Sequence, residues 1–235
     1  MPLLVAVVLA AGCKPESLVS TSQEVEVGRQ ASQELEQKYP VNKDPQLNAL
    51  VSDIGQYMAP RSSRTGIQYT FKVLDLKDVN AVSLPGGWVY VYKGLIDSIG
   101  GPNNVDKDLL AAVIAHEVGH VAARHHAQMM GRAELYGITI AVATKGKTQQ
   151  WVNFFANLNL LHYSRKDEFE ADKLAIDYTF SSKYNPDGIV QFLKQLQAKS
   201  KGEPSKFEAF FRTHPGTADR ITKAEEYLVK LRAGG

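Results

Sequence analysis

Between His116 and His126 the sequence reads HEVGHVAARHH, which holds four of the chain's six histidines. An α-helix turns about 100° per residue, so His116 and His120 lie roughly 40° and one turn apart, and both imidazoles can reach one ion. Glu117 sits beside that ion rather than on it. From there its carboxylate can take a proton from a water that zinc has acidified to a pKa of about 7. The chemistry is metal-assisted hydrolysis, and it needs a third protein ligand and an open fourth position.

His126 is one candidate, because it stands ten residues after His116, where the pattern H-E-x-x-H-x-x-G-x-x-H places its last histidine. In that pattern the glycine ends the helix and turns the third histidine back. Here the position is Ala123, the best helix former, and the sequence predicts one helix over about 106–130. On such a helix His126 lies about 120° around from His120 and roughly 9 Å along the axis, while His125 is about 180° from His116. Both are expected outside the ligand set, solvated or in a second layer. The other candidate lies in SRKDEFEAD, from Ser164 to Asp172. Glu168 and Asp172 share a helix face there, so one can ligate while the other accepts a hydrogen bond from a ligand histidine and fixes its tautomer.

His116-Glu117-x-x-His120, followed about fifty residues later by Ser164-Arg165-x-x-Glu168-x-x-Ala171-Asp172, resembles the gluzincin metallopeptidases of the HtpX, Oma-type and CAAX-prenyl endopeptidase group. The likeness extends to VGRQASQELEQKY from Val27, to Asn80-Ala81, to Pro85-Gly86-Gly87-Trp88-Val89-Tyr90-Val91 with Gly94-Leu95, and to Thr213-His214-Pro215 with Arg220. The resemblance implies an endopeptidase with one Zn2+ held by His116, His120 and Glu168, with Glu117 as the base and Asp172 orienting His116. It also places His214 and Arg220 near the active site. His214 can donate to the oxyanion, occupy the open metal position, or cap the helix that Pro215-Gly216-Thr217 introduces. Arg220 either contacts the site or pairs on a surface. His162 belongs to no motif and is expected to be structural.

These residues need elements to hold them. At 235 residues with 44% hydrophobic content, the chain can bury one substantial core. Its 27 basic and 25 acidic residues nearly balance, which leaves no field to gather nucleic acid. The expected class is α+β, mostly helical and zincin-like. Helices are expected at about 22–39, 44–59, 106–130, a segment ending near Lys145, 148–161, 165–181, 187–199 and 217–232. Strands are expected at Tyr69–Asp75 and Gly87–Tyr92. The second strand puts Trp88, Tyr90 and Tyr92 on one face and Val89 and Val91 on the other. If it is an edge beside the zinc cleft, an extended peptide can add to it, making Trp88, Tyr90 and Tyr92 the substrate surface.

Cys13 is the only cysteine, so an intrachain disulfide is excluded. The apolar run Pro2–Ala11 followed by Ala10-Ala11-Gly12-Cys13 resembles a bacterial lipoprotein box. Residues 1–13 are accordingly expected to be a partial lipoprotein signal segment and 14–235 a single metallopeptidase domain, with acylated Cys13 as the sole membrane contact. Lys14 after the cysteine fits the outer membrane, on the periplasmic side. The expected partners are unfolded or misfolded proteins. The alternative is an envelope assembly chaperone or binding module whose zinc is structural or whose site is plugged.

Overall fold

The computed structural model describes residues 14–135 and 147–234. Cys13, the signal segment and the helix expected to end near Lys145 lie outside the described residues. A short 3-10 turn at Pro15–Leu18 leads into α1 (Thr21–Lys38), whose N-cap is Ser20 in a reciprocal pair with Gln23. α2 (Pro45–Met58) starts on Asp44, whose side chain accepts from the amides of Gln46 and Leu47. Three strands follow: β1 (Thr70–Leu74), β2 (Ala81–Leu84) and β3 (Trp88–Tyr92). The helices α3 (Lys93–Ser98), α4 (Lys107–Ala122), α5 (His125–Leu135), α6 (Lys147–Phe155), α7 (Arg165–Ser181), α8 (Gly188–Lys199), α9 (Pro204–Thr213) and α10 (Thr217–Ala233) complete the order. The α+β class expected from the sequence is the class found. Among the described residues no helix is long and apolar enough to cross a membrane.

The sheet order is β1-β3-β2, with β1 parallel and β2 antiparallel to β3. β3 is therefore central, which overturns its expected place at an edge. Its alternation holds: Val89 and Val91 pack on the side of α2, α4, α8 and α10, whereas Tyr90 and Tyr92 pack on the side of α1, α5 and α6. A sheet buried on both faces offers its middle strand to no ligand. The edge beside the helices is β2, a four-residue strand buried along its whole length. Too short to show a period, it gave no signal in the sequence. It turns into β3 through Pro85-Gly86-Gly87, where Gly86 and Gly87 hold φ of 74° and 113°, backbone that a side chain would strain.

The long helix expected over 106–130 is broken. α4 ends at Ala122 with Ala123 as cap, Arg124 takes the left-handed conformation at φ 57°, and α5 begins at His125. The propensity of Ala123 does not decide the matter, because the turn lies one residue later and is held from outside. Arg124 Nε donates to Glu24 at 3.1 Å and its Nη2 donates to the carbonyl of Val19 at 2.6 Å. Arg64 grips the same buried Glu24 through two bonds of 2.7 and 2.8 Å and also donates to the carbonyl of Val121. Local preference has yielded to a tertiary clamp. α6 stops at Phe155, short of the expected 161, as the Asn157 side chain accepts from the amide of Asn159 and closes a turn.

Candidate metal centre

α4 is buried from Leu109 to Val121, so everything it presents must be satisfied inside the protein. α7 crosses it closely because Gly119 lacks a side chain. A Cβ at Gly119 would stand 3.1 Å from the carbonyl oxygen of Ala171 and 3.3 Å from its Cα. Ser164 caps α7 in a reciprocal pair with Asp167, which sets the first turn. Glu168 and Asp172, one turn apart, then face His116 and His120.

Four side chains converge: His116, His120, Glu168 and His214 each bring an atom within 4.8 Å of the other three, and all are buried. The Nε2 atoms of His116 and His120 are 3.0 Å apart. Glu168 Oε2 is 3.5 Å from the first and Oε1 is 3.3 Å from the second. His214, which follows α9, puts Nδ1 3.1 Å from Glu168 Oε1 and 3.4 Å from His116 Nε2. Its Nε2–H donates to the carbonyl of Ala81 on β2 at 3.2 Å and lies 3.4 Å from Glu117 Oε1. Two imidazole nitrogens at 3.0 Å can share one proton at most, and a cation at their focus takes both lone pairs. This N, N, O set fits zinc. Glu117 Oε2 is buried without a partner, a carboxylate oxygen free to receive a proton.

Behind the cluster, His116 Nδ1 is 2.9 Å from Asp172 Oδ1. Arg220 of α10, fully buried, donates to both Asp172 oxygens at 2.7 Å and reaches Glu168 Oε2 at 2.6 Å. Of the two expectations for Arg220, the site is where it stands. Burial alone raises a carboxyl's pKa, but the Arg220 guanidinium outweighs it and holds both Glu168 and Asp172 below the usual carboxylate range. Burial also opposes charge on His116, yet Asp172 and Glu168 beside it lift its pKa to about 9. Burial takes His120, with weaker support, well below the ordinary imidazole range.

His125 and His126 stand outside the four-residue cluster, and neither is solvated, since both are fully buried. His125 Nδ1 faces His120 Nδ1 at 2.9 Å. His126 Nε2–H donates to the carbonyl of Ser83 at 3.0 Å and lies 2.8 Å from the Tyr163 hydroxyl. His162 has Nδ1 2.9 Å from the carbonyl of Arg212, away from the cluster. Trp88, Tyr90 and Tyr92 are not brought to the site. Tyr90 donates to Glu36 at 2.7 Å, and Tyr92 is sealed in the core beside α1 and α6. Sequence reasoning missed Tyr163, whose ring stacks on His120 with centroids 3.7 Å apart and whose hydroxyl reaches Ser83 Oγ at 3.3 Å. The available signal was its place immediately before the N-cap Ser164, where an apolar residue fixes how the chain enters a helix.

Two helices crossing at a glycine, with a paired-histidine motif on one and a carboxylate on the other, form a candidate zinc centre of the kind zinc hydrolases use. The sequence matches peptidase family M48 over residues 45–228, and the chain belongs to that family. It is 33% identical to mitochondrial metalloendopeptidase OMA1 of Schizosaccharomyces pombe over 170 residues, 71% of this chain and 49% of that protein. Against the beta-barrel assembly-enhancing protease of Escherichia coli it is 23% identical over 236 residues, 94% of this chain and 47% of the other. Against metalloprotease LoiP of Escherichia coli it is 28% identical over 214 residues, covering 86% and 79%. The chain thus spans about half the length of the first two of these relatives.

Proposed function

We propose that this chain is a zinc-dependent endopeptidase, a single domain over 14–235 that hydrolyses peptide bonds of unfolded or misassembled envelope proteins. The observation that carries the reading is the focus of His116, His120 and Glu168 beside the unpartnered Oε2 of Glu117. Zinc bound there supplies Lewis acidity toward a carbonyl oxygen and acidifies water. Glu117 takes the proton from the attacking water and returns it to the departing amine nitrogen. Asp172, held by Arg220, would keep His116 in the tautomer that leaves its Nε2 lone pair available to a metal.

The substrate strand belongs on β2 rather than β3. The carbonyl of Asn80 accepts from Tyr92 on β3, so by alternation those of Ala81 and Ser83 point to the free edge. They are taken by His214 and His126. An extended peptide adds to this edge once His214 leaves Ala81, and its main-chain bonds demand little sequence. Relatives named as a beta-barrel assembly-enhancing protease and a metalloprotease of Escherichia coli support a bacterial envelope setting, and the lipoprotein-like run ending at Cys13 supports an anchor at the outer membrane on the periplasmic side. An acyl mass on Cys13 in protein purified from bacterial membranes tests the anchor, and an unmodified thiol removes it.

Complete burial of the centre, with His214 in the ligand cluster, favours one other reading: a binding module or assembly chaperone with structural zinc. Metal analysis paired with casein digestion separates the two. Glu117→Gln is expected to keep one zinc per chain and lose cleavage. Cleavage at the wild-type rate sinks the mechanism, and no cleavage by wild type or His214→Ala favours the binding module.

A further inference from the structure

A metal-ligating histidine usually donates its second ring nitrogen to a carboxylate, a carbonyl or water, which sets its tautomer and aim. Asp172 stands in that position for His116. For His120 no carboxylate among the described residues does. Its Nε2 faces Glu168 and its Nδ1 faces Nδ1 of another imidazole, His125, at 2.9 Å. On the far side of that ring, Nε2 of His125 lies 3.4 Å from Oε2 of Glu170, a residue whose side chain is 48% exposed, and 4.0 Å from Oδ1 of Asp167.

We propose that His125 is a positioning residue that fixes the ring of His120 through a two-bond relay ending at the surface carboxylate Glu170. The inference rests on the reading of His120 as a zinc ligand. With the Nε2 lone pair of His120 turned to the metal, its proton sits on Nδ1 and must be donated. The acceptor at 2.9 Å is His125 Nδ1, which therefore holds a lone pair and carries its own proton on Nε2. That proton is donated to Glu170. Both tautomers are thus set, with a neutral ring rather than a carboxylate behind Nδ1 of His120, whereas Nδ1 of His116 is backed by an anion that Arg220 compensates.

The relay exists because the helix breaks. On a continuous helix His125 would point about 180° from His116. The left-handed Arg124, clamped by Glu24 and by the carbonyl of Val19, swings His125 under His120 instead. The sequence stretch that seemed to offer surplus ligands supplies the support of one.

The test is 15N NMR of the histidine rings in the intact zinc-loaded protein, with zinc stoichiometry measured on the same sample. Expected are a protonated His120 Nδ1, a deprotonated His125 Nδ1 and a two-bond 15N–15N coupling across them. His125 protonated at Nδ1 overturns the relay while leaving the zinc reading intact. Failure to bind one zinc per chain overturns the zinc reading and the relay with it. In parallel, chelator competition is expected to show His125→Phe binding zinc about 10- to 100-fold more weakly. His125→Asn, which can keep an acceptor near Nδ1, is expected to recover most of that loss. His125→Phe within twofold of wild type, or His125→Asn as weak as His125→Phe in a folded protein, assigns His125 a packing role only.

Discussion

His214 is the residue whose two contacts pull in different directions. Its Nδ1 joins the four-residue cluster while its Nε2–H donates to the Ala81 carbonyl, so one ring stands at both the cluster and the β2 edge. His214→Ala is accordingly expected to raise casein hydrolysis, measured as initial rate per bound zinc. A fall of about 100- to 1000-fold would assign it to the oxyanion instead. His126 makes a different prediction. Burial lowers its pKa to about 4, against about 6.5 for a free histidine. The unfolded chain takes up this proton as pH falls below about 6.5, and the folded chain does so only near 4, so acidification through that window costs stability. His126→Gln keeps a donor toward Ser83 and removes the titration. In urea melts of the metal-free proteins, wild type is expected to lose up to about 3 kcal/mol more than the variant between pH 6.5 and 4. Parallel pH profiles for the two proteins would refute this.

At the scale of elements, the centre is a crossing of α4 and α7 whose closeness depends on Gly119. Gly119→Val places methyl groups where even a Cβ meets the Ala171 backbone at 3.1 Å. The expected cost is about 1–3 kcal/mol of overpacking, with zinc affinity falling as Glu168 is pushed from His120. Unchanged affinity in a chelator competition would show that the spacing is not set there. The helices α1, α2, α7, α8 and α10 were legible because caps and apolar spacing are local and agree with the tertiary result. The break at Arg124 was not, since it depends on Glu24 and Arg64, 100 and 60 residues away in sequence. Nor was β2, whose four residues acquire strand identity only by pairing with β3. The edge assignment of β3 failed for a related reason: alternation reports two faces and says nothing of neighbours on either side. At the site, the shared faces of His116 with His120 and of Glu168 with Asp172 were legible from helical spacing, while Tyr163 and the two buried histidines depend on contacts across the fold.

Across the whole molecule, the converging side chains come from α4, from α7 and from the junction of α9 with α10, so a bound metal ties together segments nearly a hundred residues apart. Stripping zinc with a chelator is expected to lower the melting temperature, and adding zinc back to restore it. A thousandfold excess of zinc over its Kd corresponds to about 4 kcal/mol. A melting curve indifferent to chelation would place the metal outside the folding equilibrium. Arg220 adds a consequence of its place in the sequence. Among the described residues it alone brings a guanidinium to the carboxylates of Glu168 and Asp172, and it follows them by some fifty residues. In chain order His116, His120, Glu168 and Asp172 therefore precede by about fifty residues or more the cation that steadies the two carboxylates, and His214 precedes it by six. Until Arg220 is present, Glu168 and Asp172 stand without their counter-charge, and a piece of the chain that stops short of it is expected to hold zinc more weakly.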